Sequence, residues 1–208
     1  MKLMYAPASP FARKVRVASI EVGLDREIEL VFTKVHPGGA NADYAAAVNP
    51  LRKIPALVVD ATTVVHDSTV ICEYLDARAG GGRIIPSDGA ARWQVLTRHA
   101  LAQGMCESAI LLRYETWLRP EDLRWPMWID DQWDKVLTGL DWFEARPEVL
   151  SGPVDLAHIG LGCLLGYLDF RFSSVDWRDR CPGLDRWFGV LSKRDSFAAT
   201  EHANQPSP

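Results

Sequence analysis

Lys2-Leu3-Met4-Tyr5-Ala6-Pro7-Ala8-Ser9-Pro10-Phe11-Ala12-Arg13-Lys14-Val15-Arg16 runs from a short apolar strand through an Ala-Pro-Ala corner into a helix that opens on Ser9 and Pro10. Serine before proline is a common helix start, because the hydroxyl caps free backbone N–H groups and proline tolerates the first helical position. A strand that delivers a hydroxyl to a helix N-terminus also sets it where unpaired N–H groups and the macrodipole favour an anion such as a thiolate. Taken alone, Ser9 is open to both readings, a plain cap or a functional hydroxyl. The five histidines, His36, His66, His99, His158 and His202, form no serine-hydrolase pattern, and no Gly-x-Ser-x-Gly elbow occurs. A nucleophilic Ser9 is therefore not expected. A hydroxyl that donates a hydrogen bond to an anion already present needs no base, and that role fits Ser9 better.

Working outward, the pattern predicts strand 2–5, helix 11–22 stopping at Gly23, and strand 27–33. A Pro-Gly-Gly loop at 37–39, a helical segment 43–48, a hairpin 56–60 and 63–66, and a helix 68–79 follow. This order gives a small sheet covered by helices. Two further motifs lie on it. In Ile54-Pro55 the proline sits at a strand start, where its missing N–H is harmless. A cis bond there would turn the Ile54 backbone toward an extended peptide ligand, and a trans proline would merely end the loop. Asp67-Ser68 sits between a strand and an apolar helix. It either caps that helix or holds a zwitterionic amino-acid end, Asp67 taking the ammonium and Ser68 with the helix amides taking the carboxylate.

Gly80-Gly81-Gly82 marks a break and Pro86-Ser87-Asp88 a connector. Beyond it the strand signals stop. Helical patterns cover 90–113, 128–145, 156–170 and 184–193. Residues 1–79 are thus expected to form one domain, 80–88 a linker, 89–200 an all-helical domain, and 201–208 a loose tail. Asp155 is placed to cap the helix from Leu156, although His158, three residues on, is neither the acid nor the amide that usually completes a capping box. Trp93, Tyr114, Trp117, Trp125, Trp128 and Trp133 crowd the first two of these helices, and most are expected in the core or at an interface. Tyr114 and Trp117 are the first choices for lining an apolar cleft.

The 208 residues suit a packed pair of roughly 80 and 120 residues. A net charge of −4 with scattered basic residues, apart from Arg13, Lys14 and Arg16, argues against nucleic acid and for a small-molecule partner. No leader pattern opens the chain, and the weakly polar run from Ile159 to Leu168 is too short for a bilayer, so it reads as a buried helix. Cys72, Cys106, Cys163 and Cys181 show neither paired nor zinc spacing. They are expected to be reduced thiols in the cytoplasm, with no metal site.

The three motifs, their order and the change from α/β to all-helical resemble the cytosolic glutathione S-transferase superfamily over nearly the whole chain. The stretches from Ser9 to Lys14, Asn49 to Pro55 and Gly166 to Arg171, with the ending Ser196 to Thr200, are most similar to a bacterial branch of glutathione transferase-like proteins of the YibF type. The resemblance implies a thioredoxin-like N-terminal domain and an all-α C-terminal domain, the glutathione transferase fold. It implies that Ser9 hydrogen-bonds the glutathione sulfur with Phe11 beside it, and that Ile54 next to cis-Pro55 makes backbone contacts. Asp67 and Ser68 would hold the γ-glutamyl end and Lys53 the glycyl carboxylate. Glutathione would be the co-substrate that attacks a small apolar electrophile, and the protein a homodimer. With serine where thiol-disulfide branches carry cysteine, a mixed disulfide with the protein is disfavoured. A non-catalytic glutathione-binding or partner-binding protein on the same fold is the alternative.

Overall fold

The computed structural model describes residues 1–39 and 41–204. Strands β1 (Lys2–Tyr5), β2 (Glu29–Phe32), β3 (Ala56–Val58) and β4 (Val64–Val65) form a mixed sheet in the order β2-β1-β3-β4. Helix α1 (Pro10–Glu21) connects β1 to β2, and such a crossover lays β2 parallel to β1, with Leu3 opposite Leu30. The hairpin strands run antiparallel, with Leu3 opposite Leu57 and Leu57 opposite Val65. A short helix α2 (Ala42–Ala47) precedes β3, and α3 (Ser68–Arg78) follows β4. The core is Leu3, Ala12, Val15, Ala18, Leu57, Ile71, Cys72 and Leu75, all fully buried, with α1 packed on α3.

At the end of α3 the Asp76 carboxylate accepts the N–H groups of Gly82, Arg83 and Ile84 at 2.9, 3.0 and 2.9 Å. The chain reaches those bonds only because Gly80, Gly81 and Gly82 all take positive φ, which a side chain would oppose. The expected break is therefore a fixed turn.

The chain divides into two compact units, Met1–Arg92 with the segment from Asp195 onward, and Trp93–Arg194. Helix α4 (Gly89–Trp117) crosses from the first to the second, a turn longer than its pattern predicts. The second unit continues with α5 (Pro126–Glu144), α6 (Leu156–Arg171), α7 (Trp177–Arg180) and α8 (Pro182–Leu191). Its centre is α6, which buries Leu156, Ile159, Leu161, Leu164, Leu165 and Leu168, as expected of the 159–168 run. At Gly139 of α5 a Cβ would collide with the Met105 thioether of α4, so the glycine allows that close approach. Asp155 caps α6 with its carboxylate on the His158 N–H at 3.0 Å, and His158 completes the box by accepting the Asp155 N–H on Nδ1 at 3.2 Å.

The segment from Asp195, read from sequence as part of the helical domain, packs in the first unit. Helix α9 (Asp195–Ala198) lies on α1, where Arg13 donates to the Phe197 carbonyl at 3.3 Å and Arg16 to that of Ala199 at 3.0 Å. Ser196 Oγ donates to Glu21 at 2.5 Å. Of the expected loose tail, residues 205–208 lie outside the described residues. The aromatic cluster is not core: Trp93, Trp117 and Trp125 are exposed, and Tyr114, Trp128 and Trp133 half-buried. The fully buried tryptophan is Trp177, whose indole donates to Asp169 at 2.8 Å. All four cysteines are buried and free. Among the described residues no helix is long and apolar enough to cross a membrane.

Candidate functional site

Strand direction decides which loops meet. Ser9 follows the C-terminal end of β1, Pro55 precedes the N-terminal end of the antiparallel β3, and Asp67 follows the C-terminal end of β4, which runs with β1. All three motifs therefore emerge at one end of the sheet. A hydrogen bond from Lys14 Nζ to Thr69 Oγ1, 3.3 Å, ties the second turn of α1 to the first turn of α3.

Ser9 has extended backbone, φ −84° and ψ 120°, and its N–H closes the turn onto the Ala6 carbonyl at 3.0 Å. Its Oγ accepts the Ala12 N–H at 3.2 Å. The cap uses oxygen lone-pair capacity and leaves the hydroxyl proton to be donated, so the capping and functional readings are compatible. Phe11, in the first turn, is half-buried.

The Ile54-Pro55 peptide is cis. The loop before it is held from beneath, since the Lys53 carbonyl accepts from the Tyr44 hydroxyl at 2.8 Å and from Asn49 Nδ2 at 3.0 Å. Burial pushes the Tyr44 phenol up to about 12, so it stays a donor. The Ile54 N–H and C=O bond to nothing among the described residues. Lys53 is exposed.

Asp67 carries the cap of α3. Its Oδ1 accepts from Thr69 N at 2.9 Å and Val70 N at 3.4 Å, while Oδ2 has no partner among the described residues. Ser68 is 2% exposed, so access to its hydroxyl is narrow. The His66-Asp67 peptide is also cis, which no sequence signal announces.

A cavity of about 320 Å³ lies at the loop after β2, lined by Lys34, Val35, His36, Gly39, Asn41 and Arg52. None of these was expected as a site residue, although the Pro-Gly-Gly loop contains Gly39 and the stretch from Asn49 to Pro55 contains Arg52. Because β2 runs with β1, its C-terminal end lies at the same end of the sheet, and a basic side chain just past it was the available signal. In the helical unit Tyr114 is half-buried with its phenol raised by burial, and Trp117 is 57% exposed beneath the Arg113 guanidinium.

The glutathione S-transferase N-terminal domain model matches residues 8–78 and the C-terminal domain model residues 126–189. The uncharacterised GST-like protein YibF of Escherichia coli strain K12 is 30% identical over 205 residues, covering 97% of this chain and 98% of its own. The chain belongs to the glutathione S-transferase family. Among solved glutathione transferases, one from Pseudomonas fluorescens Pf-5 with bound glutathione is 40% identical, covers 98% of this chain and 99% of its own, and superposes with a TM-score of 0.94. A structure from the same source with bound S-(propanoic acid)-glutathione is 40% identical, covers 98% of this chain and 100% of its own, and gives 0.89. The mixed sheet and helical second unit are thus the glutathione transferase architecture that the motif order implies.

Proposed function

We propose that this glutathione transferase binds glutathione at the end of its sheet and presents the thiolate for attack on a small apolar electrophile. The carrying observation is the Ser9 hydroxyl, fixed by the Ala12 N–H at 3.2 Å with its proton still to donate, at the N-terminus of a 12-residue helix. A hundredfold gain in thiolate requires about 2.7 kcal/mol. A hydrogen bond to a charged group, about 1.5–3 kcal/mol, with a helix terminus at about 0.3–1 kcal/mol, supplies it. Glutathione held by solved relatives 40% identical to this chain supports the ligand.

In this reading Phe11 packs beside the sulfur and Ile54, next to Pro55, pairs with the cysteinyl backbone. The free Oδ2 of Asp67 takes the γ-glutamyl ammonium, and Ser68 with the first amides of α3 its carboxylate. The glycyl carboxylate meets Lys53 and the basic cavity of Lys34, His36 and Arg52. Tyr114 and Trp117 supply apolar surface to the electrophile. The protein works in the cytoplasm, where four buried thiols stay reduced. It forms a two-fold dimer in which the α3 region meets residues 90–113 of a second copy, which would cover the exposed Val70 and Trp93.

The test is the ultraviolet thiolate absorbance of bound glutathione titrated against pH. Wild type should titrate well below free glutathione. Ser9→Ala should still bind, titrate near the free value, and turn over about a hundredfold more slowly. Saturable binding with an unshifted midpoint in wild type would leave a glutathione-binding protein without catalysis, and unchanged turnover in Ser9→Ala would remove the role of the hydroxyl. Sedimentation as a monomer at micromolar concentration would remove the dimer.

A further inference from the structure

The cavity at the loop after β2 is larger and more basic than a single carboxylate needs. Its volume of about 320 Å³ falls at the lower end of the about 300–1,000 Å³ of small-molecule sites, far more than one carboxylate group fills. Lys34 and Arg52 line it from two different loops, one just past β2 and the other just ahead of Pro55. Neither side chain has an acidic partner among the described residues, and no acid lines the cavity. Two permanent cations on one cavity without an anion leave room for more negative charge than the glycyl end of glutathione brings.

The backbone is shaped to hold them. Among the described residues the two non-glycine positions with positive φ, Asn41 at 21° and Arg52 at 53°, both line this cavity. Such conformations cost energy in a residue with a Cβ and gather at ligand clamps. Arg52 is braced by its N–H on the Asn49 carbonyl at 2.8 Å, and Asn49 Oδ1 accepts the Leu51 N–H at 3.0 Å. Asn41 Nδ2 donates to the Lys34 carbonyl at 3.1 Å. Gly39 closes the turn with its N–H on the His36 carbonyl at 3.0 Å, where a Cβ would crowd the His36 ring.

Strand order decides what reaches the cavity. From one edge of the sheet to the other, β4, β3, β1 and β2 bring up Asp67, Ile54 with Pro55, Ser9 and the cavity in turn. A thiol peptide with its γ-glutamyl end at Asp67 and its sulfur at Ser9 therefore directs its third residue toward β2. In glutathione that residue is glycine, with one carboxylate and no side chain. We infer that the cavity receives a second carboxylate, carried on the side chain of the third residue, so that the protein favours a γ-glutamylcysteinyl peptide ending in glutamate over glutathione itself. The inference rests on the glutathione reading and names the class of thiol peptide that the same site takes.

Calorimetric affinities for three peptides test it: S-methylglutathione, γ-Glu-(S-methyl-Cys)-Glu and its neutral isostere γ-Glu-(S-methyl-Cys)-Gln. Wild type should bind the glutamate peptide at least about fivefold more tightly than the glutamine peptide, the upper range of an exposed ion pair, and more tightly than S-methylglutathione. Replacing both cations, Lys34→Gln with Arg52→Gln, should bring the glutamate-to-glutamine ratio close to one. Both side chains are exposed, so the fold should stand, which an unchanged thermal midpoint checks. Lys2→Gln removes a cation that pairs with Glu29 at the far end of β1 and should leave the ratio unchanged. A ratio that survives the double variant, or falls as far in Lys2→Gln, overturns the assignment to this cavity. A wild-type ratio near one, or a glutamate peptide weaker than S-methylglutathione, overturns the acidic third residue and leaves the glutathione reading standing. Binding of the glutamate peptide alone upholds the inference and removes glutathione as the ligand, and binding of none of the three overturns both.

Discussion

Asp67 and Asp155 hold the same local position, the N-cap of a helix, and spend their carboxylates differently. Asp155 is 16% exposed and both its oxygens are engaged, Oδ1 with the His158 N–H at 3.0 Å and Oδ2 with Arg98 at 2.9 Å. His158 Nε2 lies 3.0 Å from the Val149 carbonyl, which can only accept. In the neutral ring Nε2 therefore carries the proton and Nδ1 accepts the Asp155 N–H, whereas a protonated Nδ1 would pair with Asp155 Oδ1, 3.1 Å away. Arg98 also donates to Val149 at 2.8 Å, so one loop, one cap and one helix share a network. Asp67 is exposed, uses Oδ1 for the cap and leaves Oδ2 without a partner. A cap with both oxygens engaged serves stability, and the binding role proposed for Asp67 falls to the oxygen that its cap leaves over.

The sharpest way to break this contrast is Asp155→Ala, which strands the Arg98 guanidinium at 17% exposure. It should cost about 3–5 kcal/mol and lower the thermal midpoint by roughly 10 °C, with little change in glutathione affinity. Calorimetric melting beside a binding isotherm reads both. Asp67→Ala should do the reverse, weakening glutathione at least about tenfold while costing only about 1 kcal/mol of stability. If both variants behave alike in either assay, the division of labour is wrong.

Acid sharpens the contrast further, with the smallest effect. Burial raises the Asp155 carboxyl, but its hydrogen bonds to His158, the charge of a protonated His158 and then that of Arg98 outweigh this and hold it below the usual aspartate range. The unfolded chain then takes up the proton first. The contribution of Asp155 is complete above about pH 5 and lost as the pH falls through the native value, below about 3.9. The stability gap between wild type and Asp155→Asn should therefore narrow between pH 5 and 3. A gap independent of pH would separate the cap from its charge.

Local chemistry made much of this legible in the sequence. Ser9-Pro10, Asp67-Ser68 and Asp155 announce helix starts through side chains that act within three residues, and each helix begins within one residue of its expected place. Ile54-Pro55 showed where a cis bond would matter. The rest depends on partners remote in sequence. Arg13 and Lys14, which with Arg16 form the one basic grouping in the sequence, are only 5% and 2% exposed, and the Phe197 carbonyl, 184 residues away, receives one and Thr69 the other. The four-residue α7 is too short for any periodicity to register. His158 was read by type as a poor capping partner, and only the Val149 carbonyl fixes the tautomer that makes it a good one.

The return of α9 to α1 bears on how the protein is made. Phe197 is fully buried in the first unit, and Ala203 donates to the Pro7 carbonyl at 3.4 Å in the corner just before Ser9. On the ribosome the first unit emerges early but lacks its last helix until the helical unit has been synthesised. The corner that leads into Ser9 thus gains part of its final surroundings from residues translated after the helical unit.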